Sequence, residues 1–149
     1  MKKSLLALML TVVSAFSTLA ADLTTVWEQI AADNSFITGP ADKDKIEKNG
    51  FEKLDIAINT APTSDQINRT RRLAATIDDS QKITSVSQSG VDISIYMAPY
   101  NIAGTEYKVL FLITKNDNDD KALFVFYGVA TQEGLQKALQ NFSLEDLVG

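Results

Sequence analysis

The stretch YKVLFLITKNDNDDKALFVFYGV, residues 107 to 129, sets two apolar runs around a polar centre. In the first run Tyr107, Val109, Phe111 and Ile113 alternate with Leu110 and Leu112; in the second Phe124 and Phe126 alternate with Leu123, Val125 and Tyr127. Both period-2 sets are apolar in each run, which is the pattern of strands covered on both faces. The centre, Lys115 to Lys121, offers carboxylate and amide oxygens at Asp117, Asn118, Asp119 and Asp120. A helical calcium loop counted from Asp117 would need an oxygen ligand at its fifth position and glycine at its sixth, where Lys121 and Ala122 stand. Asn and Asp tolerate left-handed backbone, so the centre reads as a hairpin tip between strands 106–114 and 122–129, and no metal is assigned.

Outward from this hairpin, Lys82 to Gln88 and Val91 to Ala98 read as two more strands joined at Ser89-Gly90. Val91, Ile93, Ile95 and Met97 share one face of the second, while Asp92 and Ser94 point to the other. Leu54, Ile56 and Ile58 alternate as a further strand, free to pair at either edge. Short connections join antiparallel neighbours. The expected fold is therefore α+β, an antiparallel four- to five-stranded meander sheet with helices packed on it.

Three helices accompany the strands. Leu23, Val26, Trp27, Ile30 and Ala31 fall at helical spacing, with Thr25 and Glu28 placed as a capping box. Thr63 and Gln66 form a second such box ahead of Ile67, Thr70, Leu73, Ala74 and Ile77, a stripe running to about Asp78. Leu135, Ala138 and Leu139 mark a third helix within Thr131 to Gln140, and Ser143 with Asp146 a last capped turn. Residues 34–50, with Gly39-Pro40 and the charged run Asp42 to Lys48, read as a loop holding one solvated helical turn. With so few helices, either the opening helix packs behind the two-faced sheet or a second molecule does.

The beginning of the chain carries an address. Lys2 and Lys3 precede the apolar run Leu5 to Phe16, and Thr18-Leu19-Ala20 supplies small residues for cleavage before Ala21. Residues 1–20 are read as a signal peptide and 21–149 as a single exported domain, periplasmic or secreted. The apolar run is shorter than the roughly 20 residues of a membrane span. With Lys2 and Lys3 removed, 12 Lys plus Arg face 19 Asp plus Glu, a net charge near −7. That balance disfavours nucleic acid and anionic membrane as partners. The chain has no cysteine, so the core alone must hold the fold, which suits a bacterial periplasm.

Chemistry is sparse. Without histidine or cysteine there is no imidazole base, thiolate nucleophile or ordinary zinc site. No Gly-rich phosphate loop occurs, and no cofactor is assigned. Asp55 and Asp92 are carboxylates within apolar strands, where alternation points them outward. Arg69, Arg71 and Arg72 cluster on the second helix, where guanidinium forks suit a phosphate or carboxylate and also suit a solvated face. No catalytic residue can be named, and the chain reads as no enzyme.

The succession ITSVSQSGVDISIYMAP, YKVLFLIT, a polar turn, ALFVFYGV and the closing FSLEDLVG resembles small exported proteins of unknown function from anaerobic Gram-negative bacteria. The resemblance covers about Leu54 to Gly149, with the Thr131 to Gln140 helix placed between the last strand and the Ser-Leu-Glu-Asp turn. It implies a periplasmic or secreted α+β protein and transfers no catalytic residue. The expected function is a non-enzymatic binding module of the cell envelope, acting on an envelope protein or by self-association as a homodimer. The alternative is a small-ligand or glycan binder using tyrosine faces at Tyr96, Tyr100 and Tyr107.

Overall fold

The structure, a computed structural model, describes residues 21–141 except 89, 102, 118 and 119. The signal-peptide reading, the Ser143 to Asp146 turn and the centre of the polar hairpin tip lie outside the described residues. Within them the chain forms α1 (Leu23–Ala31), β1 (Ile37–Pro40), α2 (Lys43–Lys48), β2 (Lys53–Asn59), α3 (Ser64–Ala75), a 3₁₀ turn (Asp79–Gln81), β3 (Lys82–Gln88), β4 (Val91–Pro99), β5 (Glu106–Asp117), β6 (Asp120–Thr131) and α4 (Gln132–Asn141). The six strands make one open antiparallel sheet in the order β1-β2-β6-β5-β4-β3.

The β3 to β6 meander is as the alternation predicts, but the sheet has six strands rather than four or five. The added strand is β1, whose four residues are all exposed and which, among the described residues, pairs with β2 alone. Its Gly39-Pro40 has turn composition, and proline is tolerated there because an edge strand needs no outward N–H. The charged run after it is the six-residue helix α2 rather than a single turn. β2 does not lie at an edge: it pairs with β6 over Lys53↔Val129 to Asn59↔Leu123 and carries β1 outside it.

The β5–β6 hairpin is longer than its apolar runs. Pairing continues through Lys115↔Ala122 and Asn116↔Lys121 to Asp117↔Asp120, and Lys115 Nζ lies 2.5 Å from Asp120 Oδ2. Most of the polar stretch is thus strand, stabilised by cross-strand charge pairing. At the neighbouring hairpin Gly90 adopts φ 80°, the left-handed backbone that glycine permits.

Each face of the sheet receives its own cover. On one, Leu23, Val26 and Ile30 of α1 and Ile67 and Ala74 of α3 pack on Ala57, Tyr96, Leu110, Leu112, Leu123 and Val125. On the other, Leu135 and Ala138 of α4, with Phe51, meet Leu54, Ile56, Val109, Phe111 and Phe126. Phe51 and Phe111 stack edge to face at 6.1 Å. The closest approach is between Gly50 and Gly134, where a Cβ on either residue would overlap the other's carbonyl oxygen. The two glycines let α4 close onto the sheet beside Phe51.

Caps fix the helix starts. Gln66 N–H donates to Thr63 Oγ1 at 3.1 Å and Thr63 N–H to Gln66 Oε1 at 2.9 Å, the capping box read from the sequence. α3 ends at Ala75, before the predicted Asp78. α1 is capped one turn earlier than predicted: Asp22, not Thr25, is the N-cap, accepting from Thr24 N–H at 3.1 Å. Lys108 Nζ of β5 donates to the same carboxylate at 2.6 Å, and Gln81 Nε2 reaches Asp22 Oδ1 at 3.3 Å. Asp22 therefore ties α1 to the sheet and to the turn after α3. Partial burial pushes its carboxyl up, but the Lys108 and Thr24 contacts together outweigh this and hold it below its ordinary 3.8.

Two outcomes follow from this packing. Gly134→Ala should destabilise the fold by about 1–3 kcal/mol, as overpacking does, and lower the thermal midpoint by several degrees; an unchanged midpoint would refute the close approach. Asp22→Ala should cost about 1 kcal/mol near neutral pH, as lost caps do. Because the folded carboxyl titrates low, that stability is present above pH 3.8 and lost as pH falls through the folded value. Denaturant titrations should show the gap between Asp22→Ala and the parent narrowing there.

Candidate functional site

Sheet order leaves the two edges unequal. β1 is short and ends in Gly-Pro, a blunted edge. β3 is seven residues long, KITSVSQ, with no proline and no charge after Lys82. Among the described residues its outer N–H and C=O groups meet no strand, since β3 pairs there only with β4. Two of the exposed large apolar side chains of the described chain belong to it, Ile83 at 40% and Val86 at 48%. An open edge of this composition is a template for a further strand.

Beside that edge runs a groove of about 310 Å³ between α3 and the sheet, lined by Arg71, Ala74, Lys82, Ser85, Ser87, Asp92, Ser94 and Tyr96. Antiparallel register assembles it: Ser85 lies opposite Ser94 and Ser87 opposite Asp92. The Ser85 and Ser94 hydroxyl oxygens are 3.4 Å apart, Ser87 Oγ donates to Asp92 Oδ1 at 2.5 Å, and Arg71 Nη2 donates to Asp92 Oδ2 at 2.6 Å. Both partners of this ion pair are more than a third exposed, so it contributes at most about 1 kcal/mol. Arg71 is thus held in place but open to a competing carboxylate. Burial pushes the Tyr96 phenol above its ordinary value, against a hydrogen bond from Ser94 and with the negative charge of Asp79 adding to the rise. Tyr96 stays a neutral hydrogen-bonding group at the floor of the groove.

The three candidate tyrosines are placed apart. Tyr96 lies opposite Leu110 and faces α3, and it is 5% exposed. Tyr107 lies opposite Pro99 and Ala130 and joins the core of the other face. Tyr100 follows β4, 57% exposed. Of the three, only Tyr96 lines the groove.

Asp92, expected to point outward, faces α3 and joins Arg71 and Ser87. The register with β3 and the position of α3 bring these residues together, and neither is a local property of the sequence. Arg69 is engaged elsewhere, with Asp33 Oδ2 at 2.6 Å. Glu52 and Glu106 form a second titratable pair, where their mutual hydrogen bond, with some burial and like charge, raises the Glu52 carboxyl. Among the described residues no group of three or more His, Cys, Asp or Glu could hold a metal ion, and no helix is long and apolar enough to cross a membrane.

The site offers main-chain hydrogen bonds along an edge, hydroxyls and a guanidinium above it, and an apolar side chain below it. Such a set binds and orients. No protein-family model, curated protein or solved structure matches the chain.

Proposed function

We propose that the protein is a non-enzymatic binding module of the bacterial cell envelope, exported by its N-terminal leader, which takes a polypeptide partner along the open edge of its sheet. The observation that carries this reading is β3, a proline-free edge strand that presents Ile83 and Val86 to solvent while the opposite edge is blunted. Strand addition draws affinity from main-chain hydrogen bonds and selectivity from alternate side chains. A strand laid on β3 would set one row of its side chains against Val86 and the other against Ser85, Ser87 and Arg71. An extended segment alternating apolar with hydroxyl or acidic residues fits both rows. The exported setting rests on the basic, apolar and small-residue order of residues 2 to 20. The non-enzymatic reading rests on a sequence without histidine or cysteine and on the engagement of Asp92, the carboxylate that accepts from Ser87 in the groove, in an ion pair with Arg71.

A second reading has its own observation. The groove alone, with three serine hydroxyls, Tyr96 and a displaceable Arg71, suits a small hydroxylated ligand that bears a carboxylate, such as an acidic sugar.

One experiment separates the two. A photo-cross-linking amino acid is placed at Ile83 or, as control, at the similarly exposed Leu139 on α4, and the protein is irradiated in the cell envelope. The edge reading expects an adduct with one protein, identified by mass, from position 83 and not from 139. No protein adduct at 83, combined with thermal stabilisation by an acidic sugar that Arg71→Ala abolishes, would replace it with the small-ligand reading.

A further inference from the structure

β3 is complementary to itself. Its register with β4 is irregular between Lys82 and Thr84 and regular over Thr84 to Gln88, a five-residue segment whose middle residue is Val86. We infer that the polypeptide that β3 takes is the β3 of a second copy of this chain, antiparallel across a two-fold axis through Val86. The inference rests on the edge-binding reading above and names its partner.

This register places Val86 opposite Val86 of the partner copy, and Ser85 opposite the partner copy's Ser87 on the α3 side. A register shift of one residue would set Val86 against Ser85 or Ser87 of the other copy, and a shift of two would set it against Thr84 or residue 88; either loses the apolar match. The consequence extends across the sheet. Ile37, Ile58, Phe124, Ile113, Ile93 and Val86 lie directly opposite one another in turn, one apolar row spanning all six strands. The row is buried at Ile113, half-buried at Ile58, Phe124 and Ile93, and exposed at Ile37 and Val86. Joining two copies at Val86 makes it continuous through twelve strands and covers one of its exposed ends.

Charge permits the seam. The segment from Ile83 to Ser87 carries no ionisable side chain. In this register the two Lys82 residues stand eight positions apart along the strands, about 26 Å at the usual rise, so they do not oppose each other. A two-fold strand seam satisfies edge groups on both copies at once, and two-fold symmetry is the commonest among homo-oligomers.

The test uses the protein's lack of cysteine, so a single introduced thiol can form only one protein–protein disulfide. Val86 and Ile83 are similarly exposed, at 48% and 40%, and random collisions would oxidise Val86→Cys and Ile83→Cys at similar rates. Residues directly opposite in an antiparallel pair have Cα atoms about 4.5–5.5 Å apart, within disulfide range. Ile83, three positions from the axis, lies about 20 Å from its own copy. In a glutathione buffer Val86→Cys should form the covalent dimer at least tenfold faster than Ile83→Cys. Sedimentation of the parent protein should show a concentration-dependent dimer that Val86→Lys weakens at least tenfold. Equal oxidation rates, or a parent monomeric at every concentration, would overturn the self-pairing. If position 83 still cross-links to a different protein, the edge reading survives that failure; if it cross-links to nothing, both fall.

Discussion

The β5–β6 hairpin is apolar on both faces, and the rest of the molecule answers that constraint. A sheet whose central strands carry Leu110, Leu112, Leu123 and Val125 on one side and Val109, Phe111, Ile113 and Phe126 on the other must be covered twice. The chain supplies α1 and α3 to the first face and α4 with Phe51 to the second. Asp22 and the Gly50–Gly134 contact are the joints that hold these covers down, one by a shared carboxylate and the other by the absence of side chains. Covering the centre uses up the helices. Among the described residues β3, farthest from β2, keeps its outer edge open, and the groove beneath α3 is where the first cover stops short of that edge.

The two edges show contrasting treatments of one hazard. Unpaired strand edges invite association, and proteins blunt them with short strands, proline, charge or bulges. β1 uses shortness and proline. β3 has one irregularity and one lysine, both confined to its first residues, and beyond them it exposes Val86 among serine and threonine. An edge left open opposite a blunted one, with a neutral and self-complementary middle, is the basis for the proposal that the protein binds a partner there.

Much of this architecture is local and could be read from residues. Strands β3 to β6 follow from alternation, the β3–β4 turn from Ser89-Gly90, and the start of α3 from Thr63 and Gln66 acting within three residues of each other. What was not legible depends on distance in sequence or on context. Ile37 to Pro40 becomes strand only because β2 lies beside it. β2 becomes central only because β6 accepts it. Asp22 prevails over Thr25 as the cap because Lys108 and Gln81, far along the chain, converge on its carboxylate. Of the groove lining, the sequence singles out Tyr96 as an aromatic face, Arg71 as a guanidinium suited to an anion and Asp92 as a strand carboxylate, but not their meeting. Ser85 and Ser87 are ordinary surface residues in sequence, and all of these become one lining only through β3–β4 register and the placing of Arg71 by α3. Period-2 alternation already separates Tyr107 from Tyr96 once the strands are paired, since the pairing sets them on opposite faces.

In the proposed assembly the outer edge of β3 is the binding edge and a second copy fills it. Amide hydrogen exchange measured at low and high protein concentration tests it most directly, because the copies must hydrogen-bond through that edge. The account predicts that amides within Thr84 to Ser87 gain protection as concentration rises, while those of Ile37 to Gly39 on the opposite edge exchange at an unchanged rate. Protection of β3 amides that does not vary with concentration, or that rises at β1 instead, would contradict it.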